Sequence, residues 1–163
     1  MGGLLAVDDN IVVRSLSDGG ELSAPEHLSA HRLWLNLKSP NTLPAWRDLQ
    51  PEQLSPIIPF VMVVEDYDDD GEYRVRLAGS LVNAVLGGLL KDQPISHLPE
   101  RDWIPFLRAG IENAKATGKP TLVTRRLIES PAHSQRLATL FLPFVQDEAG
   151  RHIILAINRI EEG

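Results

Sequence analysis

Apolar residues recur along this chain at two spacings, and each change of spacing marks a change of element. Ala30, Leu33, Trp34 and Leu37 follow one another at i, i+3, i+4 and i+7, the stripe of an amphipathic helix. Upstream, Ser23-Ala24-Pro25-Glu26 has the spacing of a capping box, with proline in the first turn where its missing N–H costs nothing. Ser39-Pro40 closes the segment, so the pattern predicts a helix over 25–38. Pro51 opens a short helical turn that closes before Pro59. The period then shifts to two. Phe60–Asp66 is rich in Val, and Glu72–Ala78 sets Tyr73, Val75 and Leu77 against Arg74 and Arg76, with Asp68-Asp69-Asp70-Gly71 as the turn between them. These two segments predict a hairpin.

Short helical pieces follow from Gly79 to Leu98, broken by Gly87-Gly88 and Pro94. Asp102 can cap a longer helix whose stripe is Trp103, Phe106, Leu107, Gly110, Ile111 and Ala114, and Gly118 with Pro120 stops it. The last third reads as three strands, Thr121–Glu129, Arg136–Val145 and His152–Ile160, joined by turns at 130–134 and 146–151. Strands at both ends with helices between them predict an α+β domain, and short connections make the strands pair antiparallel. Residues 1–22, rich in Gly, Asp and Ser, read as a flexible arm whose Ile11–Val13 piece suits a short edge strand or a partner contact. Residues 23–163 are then one domain.

Composition narrows the classes. A chain of 163 residues, 43% hydrophobic and 23% charged, suits a single globular domain with a real core. The longest apolar runs, 57–64 and 153–157, fall far below the ~20 residues needed to cross a bilayer. Asp8 and Asp9 interrupt the amino-terminal apolar stretch and no basic segment precedes it, so no secretory leader is expected and the cytoplasm is. A formal net charge of −6 argues against nucleic-acid binding. Arg125-Arg126 is the densest basic pair, and adjacent strand residues face opposite ways. With no cysteine, the sequence excludes disulfides, thiolate metal sites and thiol nucleophiles.

Short motifs add a resemblance. Leu86-Gly87, followed by Lys91-Asp92-Gln93-Pro94-Ile95-Ser96-His97-Leu98, resembles the segment after the second strand of PAS domains. Leu33-Trp34-Leu35, Leu43-Pro44-Ala45-Trp46-Arg47-Asp48, Pro51 and Leu54, with Tyr73–Ser80, resemble a bacterial family of stand-alone PAS-like proteins. The likeness spans residues 25–160. It implies an antiparallel five-stranded sheet with the 80–98 and 103–117 segments over one face and the 25–38 helix on the other. It also implies a sensory module, with a small apolar pocket under the central helices and dimer contacts through the first helix. This sequence departs from the relatives that carry cofactors. No histidine lies between Trp103 and Thr117 for haem, and no cysteine is present for covalent flavin, so the cofactor stays unknown. The usual output region is also missing from the sequence, so a signal is expected to leave by contact with a partner protein.

On that plan, strand parity and helix stripes place Val75, Leu77, Leu86, Trp103, Phe106, Leu107, Ile111, Leu140 and Leu155 around the pocket. Arg76 and Tyr73 are the candidate polar ligand contacts, and Leu33, Trp34 and Leu37 the candidate homodimer interface. A strand arginine aimed into a pocket can clamp a carboxylate or phosphate; the simpler reading of Arg74, Arg76, Arg125 and Arg126 is cross-strand pairing with Glu129 or Glu72. His27 and His31 stand at i, i+4, a zinc-capable spacing, but no third ligand is evident and no metal site is expected. The Asp66–Glu72 acidic run is too short for a calcium loop and reads as a solvated turn. No nucleophile–base pair or phosphate cradle emerges, so no enzyme is expected. Two alternatives stand beside the sensor: a ligand-free domain for homodimerisation or partner docking, and an isomerase-like enzyme with a buried acid in a small pocket.

Overall fold

A computed structural model describes residues 4–6, 10–17, 22–67, 71–130, 133–146 and 150–162. The strands are β1 (Leu4–Ala6), β2 (Ile11–Ser15), β3 (Val61–Asp66), β4 (Tyr73–Ala78), β5 (Thr121–Ser130), β6 (His133–Val145) and β7 (His152–Glu162). They form one sheet in the order β1-β2-β5-β6-β7-β3-β4, with every pairing antiparallel. The helices are α1 (Pro25–Leu37), α2 (Ser80–Leu86) and α3 (Trp103–Thr117), with 3-10 turns at Trp46–Asp48, Pro51–Phe60 and Ile95–His97. The hairpin, the carboxy-terminal meander and the long helix lie where the periodicity puts them.

The five-strand count is corrected to seven. Ile11 and Val13 of β2 are 1% and 2% exposed, paired with β5 more than a hundred residues away. The Ile11–Val13 piece forms a short strand, as its pattern suits, but a five-residue strand set among Gly and Asp carries no local sign of which strand it will pair with. β1 (Leu4–Ala6) pairs with β2 in turn, and Leu16 and Leu22 are buried; residues 1–3, 7–9 and 18–21 of that arm, and the Asp68-Asp69-Asp70 run, lie outside the described residues.

Both faces of the sheet are covered. On the front, α2, α3 and the Ile95–His97 turn close over Met62, Val64, Val75, Val123, Phe141, Ile154 and Ala156. On the back, α1 packs Ala30 and Trp34 over Leu140, Leu142, Phe144, Ile153, Leu155 and Ile157. The Pro51–Phe60 turn shares that face through Leu54 and Ile57, a cover the resemblance assigned to the first helix alone. Near-continuous burial along β3 follows from this double cover.

Helix ends depart from expectation in two places: Asp102 stands at the N-cap of α3 in helical geometry and its side chain makes no capping hydrogen bond, and the start of α1 shifts by one residue. Ala24, not Ser23, is the N-cap of α1, and no side chain caps it; the proline at the first position leaves one fewer N–H to satisfy. Glu26 instead lies 3.2 Å from the Arg159 guanidinium, tying α1 to β7. Gly118 ends α3 at φ 67°, the left-handed geometry that glycine adopts without strain.

Gly110 sets how closely α3 approaches the sheet, because a Cβ there would overlap the Phe141 ring. Gly110→Ala is therefore expected to lower stability by about 1–3 kcal/mol in urea denaturation, and Phe141→Leu in the same chain to recover part of the loss. Equal stability of Gly110→Ala and the parent would refute the close approach.

Candidate functional site

The β3–β4 hairpin contains one irregularity that decides where its side chains go. Val63 pairs with Leu77 but Val64 pairs with Val75, so Arg76 is an extra residue, a β-bulge. Strict alternation would send Tyr73, Val75 and Leu77 to one face. The bulge leaves Tyr73 and Val75 in the front core and turns Leu77 to the back beside Val63. There Arg76 and Leu77 meet Trp46, Leu49, Pro51, Leu54 and Ile58 around an open groove of about 270 Å³.

Each wall has a local cause. The Pro44 carbonyl accepts a hydrogen bond from the Val145 N–H at 3.0 Å, pinning the segment that carries Trp46. The Trp46 ring then stands edge-on to Phe144, centroids 5.2 Å apart. Gln50 N–H donates to Gln53 Oε1 at 2.8 Å, starting the turn that presents Leu54 and Ile58. Pro56 and Pro59 keep that turn from becoming a regular α-helix, since each lacks an N–H and clashes with the preceding turn. Ile58 and Leu77 are each 37% exposed, so the mouth of the groove is apolar.

Its charge comes from Arg76, whose Nη1 lies 3.4 Å from Glu65 Oε2. Glu65 is buried, and Arg74 holds its other oxygen, Oε1, through Nε at 3.0 Å and through Nη2. Cross-strand pairing of Arg74 and Arg76 thus occurs, with Glu65 as the partner; the Glu129 side chain lies outside the described residues. Arg125 stacks over Trp103 at 4.7 Å and donates to the Asp102 carbonyl at 2.9 Å.

Val75, Leu86, Trp103, Phe106, Leu107 and Ile111 lie together in the front core, packed as buried side chains where a pocket wall is expected from the sequence. Trp103 and Phe106 meet edge to face, 5.5 Å between centroids. Leu140 and Leu155 belong to the back core, a correction to their assignment to the front pocket. Leu77 is corrected likewise, and with Arg76 it joins the groove. Tyr73 stays in the front layer with Lys115 Nζ 4.9 Å from its ring centre, and burial raises its pKa. Asp66 sits beside it: burial pushes its carboxyl up, but Lys115 at 2.7 Å and the His152 N–H at 2.8 Å together hold it below the ordinary range.

Trp34 is corrected from an interface residue to an interior one: it is 2% exposed and its indole N–H donates to the Pro143 carbonyl at 2.8 Å. Leu33 and Leu37 are half-buried against the same back cluster. Among the groove residues, Trp46, Leu49, Pro51, Leu54, Ile58 and Val63 escaped the sequence reading. The available signal was a proline-punctuated segment, Leu43 to Pro59, whose apolar residues match neither a helix nor a strand period.

The histidine pair is structural. His27 Nε2 lies 3.0 Å from the Ile157 carbonyl, which requires it to donate, and His31 stacks on Trp34. Among the described residues, no group of three or more His, Cys, Asp or Glu gathers around a common point. No described helix is long and apolar enough to cross a membrane.

This arrangement, one antiparallel sheet wrapped by short helices in front and by an amino-terminal helix behind, defines the class of small α+β domains built like PAS modules. A family model described as PAS domain matches residues 23–157, well over half of the chain. The chain belongs to the PAS domain family, a family of sensory and signalling modules. No curated protein matches it.

Burial lowers the His27 pKa despite its hydrogen bond to Ile157, so the folded protein holds this ring neutral while the unfolded chain titrates near about 6.5. A depressed folded value contributes stability that is present above the unfolded value and lost as pH falls. The urea midpoint is expected to drop between pH 7.5 and 5, before the carboxylates of Asp66 and Glu72 protonate. His27→Gln, which keeps a donor for Ile157, is expected to flatten that drop. An identical slope in the variant would remove His27 as its source.

Proposed function

We propose that this chain is a cytoplasmic, non-catalytic sensory module that takes a small, mainly apolar molecule into the Trp46–Leu77 groove and passes its state to a partner protein. The observation that carries this reading is the groove itself: apolar walls from four separate segments with one fixed charge at the mouth, the composition of a small-molecule site. Arg76 supplies charge and hydrogen-bond donors rather than proton transfer, and no carboxylate or histidine joins it in the lining, which favours binding over turnover.

The groove wall also touches the element that begins the front layer. Gly79 lies so close to the Ile58 and Pro59 carbonyls that a Cβ would overlap them, and its N–H donates to the Val61 carbonyl at 2.8 Å. α2 starts at the next residue. A ligand that shifts Ile58 therefore presses, through backbone, on the start of α2. This contact supports relay from the back of the sheet to the front.

Docking of a second copy or another protein without any small ligand is the alternative. It is favoured by Leu35, 50% exposed on α1, and Leu89, 88% exposed after α2. A homodimer would then use the Leu35 side of α1 in place of Trp34.

Native mass spectrometry of the chain purified from its own host is expected to show a retained small molecule, lost when Ile58→Trp fills the groove in a variant of unchanged circular dichroism. Retention by Ile58→Trp would move the site elsewhere. A protein that carries no adduct, yet dimerises through Leu35 as judged by a Leu35→Asp variant in light scattering, would favour the ligand-free alternative.

A further inference from the structure

We infer that the groove selects an amphipathic carboxylate, a short apolar chain ending in a carboxylate, with Arg76 as its anchor and Glu65 as the internal carboxylate that Arg76 exchanges for it. This rests on the groove being a small-molecule site and adds the chemical class of the molecule.

Glu65 accepts from Arg74 Nε and Nη2 on Oε1, a two-donor contact that neutralises the buried carboxylate. Arg76 reaches the remaining oxygen with one nitrogen at 3.4 Å, a long contact, and its side chain is 45% exposed against 9% for Glu65. Of the two guanidiniums, Arg76 thus holds Glu65 more loosely. Removing it leaves Glu65 paired with Arg74, so the exchange strands no buried charge. One uncompensated positive charge then stands at the mouth of an apolar groove.

Geometry supplies the rest. The bulge places Arg76 and Leu77 on the same face, so the cation and the apolar wall are consecutive residues. A guanidinium presents a planar fork of donors that matches a carboxylate bidentately. Beyond it the lining is Leu77, Val63, Leu54, Ile58, Pro51, Leu49 and Trp46, with no acceptor or donor side chain other than the Trp46 indole N–H. A ligand with polar groups along its length would leave them unsatisfied there; an alkyl chain would not. An ammonium headgroup would meet Arg76 with the same sign of charge.

Three ligands of one chain length test this on the full chain at pH 7.5: octanoate, octan-1-ol and octylammonium, titrated by calorimetry and followed in 1H–15N spectra. Octanoate is expected to bind about tenfold more tightly than octanol, the worth of a charge-assisted contact over a neutral one, and octylammonium more weakly than either. The Trp46 indole and the Leu54, Val63 and Leu77 amides are expected to shift. Arg76→Met, at a site whose side chain is 45% exposed and outside both cores, is expected to bring octanoate down to octanol. Equal affinities for octanoate and octanol, with the groove signals moving, would overturn the carboxylate anchor and leave the groove reading standing. Tighter binding of octylammonium would overturn it too, by making Glu65 the anchor. If none of the three moves the groove signals, both readings fall.

Discussion

A sheet whose strands are apolar on both faces has to be covered on both, and this requirement organises the whole molecule. β3, β6 and β7 alternate not between core and solvent but between two cores. The front is closed by α2, α3 and the turn between them. The back needs a second cover, which α1 supplies in part and the proline-broken 46–60 segment completes. Had either face been polar, α1 would have been a loose appendage; here Trp34, His27 and Glu26 each bind it to β6 or β7.

The two covers differ in quality, and that difference generates the groove. α3 lies on the sheet by a helix stripe and a glycine at closest approach, so its side chains and Phe141 interlock. The 46–60 segment cannot do this, because a 3-10 turn with internal prolines presents its apolar residues without the regular ridges of an α-helix. It buries Leu54 and Ile57 in the back core and leaves the Ile58 side chain partly exposed beside the groove. Imperfect cover over an apolar sheet leaves apolar surface accessible, and the bulge at Arg76 sets a cation at its rim.

Edges follow the same economy. β4 ends the sheet, yet its outer side is not bare: Val75 N–H donates to the Gln93 carbonyl at 2.9 Å and its carbonyl accepts from Asp92 N–H at 2.7 Å. The Lys91–Pro94 turn occupies hydrogen-bonding positions that another chain would otherwise use, and Asp92 takes a positive φ of 68° to do so. Strand addition by another chain at β4 is thereby hindered.

The amino-acid sequence by itself determined what depends on near neighbours. The stripe of α3 and its Gly118 stop, the hairpin around Asp68–Gly71, the meander and the PAS motifs at 86–98 are local signals. They set the order of elements and hence the family. Tertiary structure alone decided which face each strand residue occupies. Alternation separates in from out only when one face is wet; with both faces dry, Leu140 and Leu155 read the same as Val75. A single inserted residue at Arg76 then reversed Leu77, and nothing in Tyr73–Ala78 announces an insertion that exists only against the register of Val63 and Val64. The groove was hidden for the same reason: it is made where a turn, two strands and a distant proline-bound loop fail to close, a property of their arrangement in space rather than of any one of them.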